Sequence, residues 1–388
     1  MPNNRIFYAC QAVAFVEKND QTHDTKNDVI DDAKFLTGVQ SVGVSSSIPS
    51  RQLQDYGRIQ RKYNLEGKRE YTISISRVID KNSDTFYKTA SYGTEYKTNH
   101  LLNEDNLNIQ GQFNSNNKCL KSYDVILLYT SDDKNNIYTD SQTAIGTTLY
   151  RSCLITSLEY EISVDGPVTE TITLRSNSIE HTSTKRFEDT DITFPESGDV
   201  LTGEHLDTQN DTVHTKLPAD ITTLFASVDD RPILQSITIN VDIEYEDLMD
   251  VGRWNAKIPD SSSLKEVSNL YSFVVVPVSV QASFTGVSRN IFPSRDVPFN
   301  DTSYQPDNEI KIVLDGRLKK TEANPTPSPN FFIWDLGQKN YVVDYSVSGG
   351  DAEGGNVELS LTYANQYSDF VLAPKEGSVR NITNTSTY

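Results

Sequence analysis

The segment Val39–Arg58 (VQSVGVSSSIPSRQLQDYGR) recurs as Leu234–Arg253 (LQSITINVDIEYEDLMDVGR), every position displaced by 195 without a gap. Seven of the twenty pairs are identical: Gln40/Gln235, Ser41/Ser236, Ile48/Ile243, Leu53/Leu248, Asp55/Asp250, Gly57/Gly252 and Arg58/Arg253. The exchanges Val42/Ile237 and Val44/Ile239 keep apolar side chains at alternate positions, the period of a strand with one buried face. A displacement of 195 in a chain of 388 residues reads as one domain written twice, residues 1–195 and 196–388. A chain built this way is constrained toward assembly more than toward chemistry.

Three further echoes follow in the same order. Tyr123–Tyr129 (YDVILLY) matches Glu309–Asp315 (EIKIVLD) at a displacement of 186, Leu158–Val164 (LEYEISV) matches Val343–Gly349 (VDYSVSG) at 185, and Thr171–Leu174 matches Glu358–Leu361 at 187. Displacements that drift only where loops change length are what a duplication leaves, although strands also resemble one another through their period alone.

The chain is 36% hydrophobic with 20 Tyr and 15 Phe, enough to bury a core in each of two domains and too apolar for a disordered chain. Short alternating runs, YTISISRV (71–78), LITSLEYEISV (154–164), ETITL (170–174), ILQSITINVDI (233–243), FVVVPVSVQASF (273–284), IKIVL (310–314), YVVDYSV (341–347) and VELSLTY (357–363), predict a mostly β fold with at most a small helix. Residues 6–16 read as a first strand and not as an export signal, and no apolar run is long enough to span a membrane. The domain boundary lies in a polar stretch within 180–230, which is long enough to hold an extra strand near Asp191–Phe194.

Cys10, Cys119 and Cys153 lack CxxC spacing, and the five His are dispersed, so neither a disulfide framework, a zinc site nor a cofactor is expected. No GxSxG, phosphate loop or metal triad occurs, and acidic pairs such as Asp229/Asp230 have no base or nucleophile beside them; the reading is not an enzyme. A net charge of −19 from 54 acidic and 35 basic residues argues against binding DNA through phosphate neutralisation. Such repulsion suits a surface past which DNA must slide.

Ile48–Lys68 and Ile243–Lys265 each join two predicted strands through about twenty residues, far longer than the two to five of a tight hairpin. Both carry Leu-x-Asp-x-Gly-Arg, and a conserved length with these residues predicts a projecting hairpin whose apolar side chains are covered by something else. The alternative is a loop folded back on its own domain.

A Gln-Ser-Val/Ile-x-Val/Ile strand, the long loop with Leu-x-Asp-x-Gly-Arg, an alternating strand, and then LEYEISVDGPVTETITL (158–174) together resemble the tail tube proteins of long-tailed bacteriophages. The second copy departs at GGDAEGG (349–355), where a Gly-rich stretch replaces the Asp-Gly-Pro turn. The resemblance covers about half of each repeat. It implies two tandem β-barrel or β-sandwich domains of the tail-tube type, six domains per ring and rings stacked into a hollow tube. The duplicated form implies three chains per ring. It implies that the long loops bridge adjacent rings, with Arg51, Leu53, Asp55, Tyr56, Gly57, Arg58, Leu248, Asp250, Gly252, Arg253 and Trp254 as contact candidates. Glu159, Glu161, Asp242 and Glu244 alternate with core positions and are the lumen-facing candidates. The partners implied are further copies of the chain, a tape measure protein in the lumen, a tail terminator, a baseplate hub and, in some tails, a sheath. Double-stranded DNA would pass without specific binding, in a virion tail assembled in the host cytoplasm. A tail terminator, hub or decoration protein, or a carbohydrate-binding adhesion module, remain as alternatives.

Overall fold

Tyr71, Ile73 and Ile75 are buried while Thr72 is exposed and Ser74 and Ser76 are half-buried, and the same alternation runs through Ile172/Thr173, Ile239/Asn240, Phe284/Thr285 and Leu361/Thr362. Each stretch therefore has one apolar and one hydroxyl-rich face, and pairing edge to edge lets all the apolar faces share one core. The computed structural model describes residues 11–17, 34–48, 50–53, 63–66, 69–80, 122–129, 146–182, 200–206, 215–218, 221, 225, 234–249, 270–274, 278–287, 309–315, 331–336, 340–348, 358–365 and 371–373.

The strands in chain order are β1 (Gln11–Glu17), β2 (Lys34–Phe35), β3 (Val39–Ser47), β4 (Ser50–Leu53), β5 (Tyr63–Glu66), β6 (Glu70–Val78), β7 (Tyr123–Tyr129), β8 (Gly146–Ser163), β9 (Thr169–Ser176) and β10 (Ser178–Thr182). They continue with β11 (Leu234–Asp242), β12 (Tyr245–Met249), β13 (Leu270–Val274), β14 (Ser279–Val287), β15 (Lys311–Asp315), β16 (Phe331–Asp335), β17 (Asn340–Ser348), β18 (Glu358–Asn365) and β19 (Val371–Ala373). All named pairings are antiparallel, and among the described residues no helix is long and apolar enough to cross a membrane. The fold is mostly β, as the alternation predicts.

Eight strands lie side by side in the order β3-β6-β9-β8-β11-β14-β18-β17. The first four come from the amino-terminal part of the chain and the last four from the carboxy-terminal part, and each set has the same internal order. β3 and β11 are displaced by 195, and both carry a bulge at matched positions, Val39/Ser41 against β6 and Leu234/Ser236 against β14. The hairpins β4–β5 and β12–β13 start at matched pairs, Ser50 opposite Glu66 and Tyr245 opposite Val274.

The pairing moves two of the echoes. A bulge lies between Ile155 and Ser157 in β8 and between Val342 and Asp344 in β17, which sets β17 at 187 from β8, and the partners Leu174 and Tyr363 set β18 at 189 from β9. The sequence matches at 185 and 187 each stop two residues short. A two-residue slip leaves every side chain on its own face, so alternation cannot detect it. The predicted run 273–284 also divides, since β13 ends at Val274 and β14 begins at Ser279, with Pro277, which has no N–H to donate, between them.

Under this sheet lies a second layer. In the first unit, the amino-terminal half of β8 pairs with β7 and β10, and β7 pairs with β1. In the second, β16 pairs with β15 and β19, forming a separate three-stranded sheet. Tyr150 meets Tyr71 edge-on at 5.7 Å between ring centroids, and Trp334 meets Tyr160 at 5.6 Å, so both second layers pack on the apolar face of the eight-stranded run. One hydrophobic cluster joins them.

The units solve the turn between layers differently at one position. β8 runs unbroken through a corner where Ser152 has φ 52, its N–H donating to the Asp124 carboxylate at 2.8 Å, and Ser176 Oγ donates to the Arg151 carbonyl at 2.7 Å. In the second unit the strand breaks into β16 and β17, and Asn365, at the place of Ser176, donates to the Leu336 carbonyl and to Asn340 Oδ1. Gly38 makes the entry to β3: its φ is +73, and a Cβ there would stand 2.2 Å from the Val78 carbonyl oxygen. Residues 200–202 extend the first unit, Leu201 bonding to Ile79 and Val168, while Leu206 bridges to Leu314 of the second. Residues 6–10 and 191–194 lie outside the described residues.

Candidate assembly site

The two four-stranded units meet through β8 and β11. Their register places Ile162 opposite Ile237, Tyr160 opposite Ile239 and Leu158 opposite Val241, all buried, with Glu161, Glu159 and Ser157 opposite Thr238, Asn240 and Asp242 on the other face. The ladder continues past both strands, the Val164 N–H donating to the Gln235 carbonyl at 3.0 Å and the Ile243 N–H to the Thr156 carbonyl at 2.8 Å. Since hydrogen-bonded and non-hydrogen-bonded pairs alternate in an antiparallel ladder, the apolar pairs are the hydrogen-bonded ones and the polar pairs the closer, non-bonded ones. Tyr245 clamps the seam, its hydroxyl donating to the Ile155 carbonyl at 2.6 Å.

The same two kinds of strand end the sheet. β3 stands where β11 stands and β17 where the carboxy-terminal half of β8 stands, but among the described residues each has one strand neighbour, β6 and β18 respectively. Val44 is 43% exposed where its counterpart Ile239 is 0%, and Val347 is 48% exposed where its counterpart Tyr160 is 0%. An open edge with apolar side chains on its core side is a template for another strand. The sheet thus ends on one side with the strand type that β8 accepts, and on the other with the strand type that β11 accepts.

The face opposite the core is a field of hydroxyls. Ser and Thr of neighbouring strands bond to one another across it, Ser283 Oγ to Thr362 Oγ1 at 2.9 Å and Thr285 Oγ1 to Ser360 Oγ at 3.3 Å. Among the described residues its strand carboxylates are Glu70, Glu159, Glu161, Asp242, Asp344 and Glu358, against one strand cation, Arg175. That guanidinium is engaged, lying 5.5 Å from the Tyr245 ring centroid and 3.9 Å from a Glu70 carboxylate oxygen. Of the lumen-facing candidates, the structure gathers Glu159, Glu161 and Asp242 at the β8–β11 seam. Glu244 is exposed in the connection between β11 and β12. Among the described residues no three His, Cys, Asp or Glu converge as metal ligands would.

Of the contact candidates in the long loops, Arg51 and Leu53 fall on β4 and Leu248 on β12, at the bases of paired two-stranded hairpins. Asp55, Tyr56, Gly57, Arg58, Asp250, Gly252, Arg253 and Trp254 lie outside the described residues. Val44 and Val347 were not among the sequence candidates. The repeat already places Val44 at the position of Ile239, but only the strand order shows that one of the two is covered and the other is not.

No protein-family model and no curated protein matches the chain. Among solved structures, it shares 9% identity with a chain of the anti-feeding prophage baseplate, over 47% of this chain and 98% of that one, with a TM-score of 0.29. It shares 16% identity with the SPP1 tail tube protein, over 46% of this chain and 80% of that one, with a TM-score of 0.28. With a chain from the tail of an empty GTA particle it shares 12% identity, over 45% of this chain and 96% of that one, with a TM-score of 0.24. Likenesses this distant carry no function across to the chain.

Proposed function

We propose that the chain is a structural subunit of a phage-type tail tube, a tandem pair of related domains of which three copies close into a ring of six units, the rings stacking into a hollow conduit. The observation that carries this reading is the β8–β11 seam, which joins two like-ordered sheets inside one chain and leaves the matching strand types open at the two ends. Head-to-tail contacts of this kind close into a ring when their rotation sums to a full turn.

Size supports closure. Three copies of the eight-stranded run make twenty-four strands, which at about 4.8 Å each give a circumference on the order of 115 Å and about 37 Å between opposite backbones, widened further by tilt. A bore of that order passes a nucleic-acid duplex. Lined by hydroxyls and carboxylates, it offers phosphates almost no cation to bind, which lets DNA, or a tape measure protein before it, move without adhering. Glu159, Glu161 and Asp242 are the lumen residues of this proposal, and the hairpins based on β4–β5 and β12–β13 reach toward the next ring. The tail terminator and baseplate hub would cap the stack, in a virion tail.

Negative-stain electron microscopy of the purified chain at high concentration tests it. Stacked rings with a central channel are expected; monomers at every salt and protein concentration would defeat the proposal, and rings that never stack would turn it toward a terminator or hub.

A further inference from the structure

The partner that β3 and β17 meet, and the register in which they meet it, follow from the seam inside the chain. We infer that β3 of one copy pairs antiparallel with β17 of a second copy with Val44 opposite Val347, Ser45 opposite Ser346 and Ser47 opposite Asp344. The inference rests on the ring reading above and deepens it.

The displacements fixed by the matched bulges, 195 for β11 to β3 and 187 for β8 to β17, carry each pair of the internal seam onto one pair of the external one. Ile239 opposite Tyr160 becomes Val44 opposite Val347, and Asn240 opposite Glu159 becomes Ser45 opposite Ser346. Every side chain keeps its face in the transfer. Val44 and Val347, both exposed in the single chain, come together on the core side, closing the apolar layer across the joint. On the other side Ser45 and Ser346 extend the hydroxyl field without interruption. A second copy is the occupant that fits, because it presents the strand type each edge lacks, at the register its own interior already uses.

The external joint is the weaker of the two by construction. Where the internal seam stacks Ile239 on Tyr160 and Val241 on Leu158, the external one has Val44 on Val347 and Ser46 on Tyr345. Smaller side chains bury less apolar surface, so the joint between chains opens before the joint within a chain.

The register is read by disulfide trapping in the full chain with Cys10→Ser and Cys119→Ser, Cys153 being buried. Ser45 and Ser346 would form a non-hydrogen-bonded pair, the spacing a disulfide spans most readily. Oxidation of the Ser45→Cys/Ser346→Cys chain is expected to give a ladder of covalent multimers. Ser47→Cys/Ser348→Cys, whose partners would lie four residues apart along the joint, should give none. Rings in the microscope with no ladder from the first pair, or an equal ladder from the second, would overturn the register and leave the ring reading standing. A register-specific ladder from open chains that never close would do the reverse. In a second variant, Ser46→Pro, the lost N–H is the one directed at the open edge, so the monomer should keep its melting temperature while assembly drops at least tenfold. Undiminished assembly of the folded variant would also overturn the inference.

Discussion

Arg77 and Glu170 form an ion pair on the core side of the first unit, 3% and 0% exposed, directly opposite one another on β6 and β9. The second unit has Gly286 opposite Leu359 at the same place. One architecture therefore accommodates a charged and an apolar solution, which fits the general finding that a buried pair contributes little net stability although breaking it is costly. Glu170→Leu alone removes the carboxylate that faces a buried guanidinium and should cost about 3–5 kcal/mol in a urea titration. Arg77→Met with Glu170→Leu should recover most of that loss, and a double variant as unstable as the single one would show that the pair contributes more than its replacement. Burial also acts on the neutral acids of the first unit. It pushes the Cys153 thiol well above its ordinary 9.0, and the Tyr150 phenol from 10.0 up to about 12, with Tyr129 raised as well. The unfolded chain releases these protons first, so their contribution is intact below about pH 9 and declines as pH rises beyond it. The urea midpoint should fall steadily from about pH 9 to about pH 11, and a flat midpoint would contradict the burial of these groups.

Among the elements, the strands with one wet face were legible in sequence. β6, β9, β11 and β18 sit within a residue or two of their predicted spans because polar and apolar side chains alternate along them. The amino-terminal half of β8 was missed, since Thr147 to Tyr150 are all buried and show no alternation to detect. β16 was missed for a related reason: FFIWD is a short apolar run with no polar phase. Neighbour relations were not legible at all, because β8 and β11 belong to different halves of the repeat and periodicity says nothing about which strand lies beside which. The segments that form β4–β5 and β12–β13 were predicted as long projecting hairpin loops without strands of their own, and the structure gives each a paired base. Replacing residues 54–62 with a short Gly-Ser turn is expected to leave rings intact and abolish stacking under the microscope, whereas unaltered tubes would place the ring-to-ring contact elsewhere.

At the scale of the whole molecule, a seam within the chain and a seam between chains need not be chemically alike. Glu159, Glu161 and Asp242 cluster at the internal one, and their counterparts at the open edges are Ser346, Ser348 and Ser47, with Asp344 the one carboxylate there. In a closed ring of three, acidic and hydroxyl-lined seams would alternate around the bore. Backbone geometry would then repeat every sixty degrees while the electrostatic potential repeats every hundred and twenty. A polyanion travelling along such a channel would feel repulsion at every seam, with three carboxylates on the two strands of each internal seam and one, Asp344, on the two strands of each external seam.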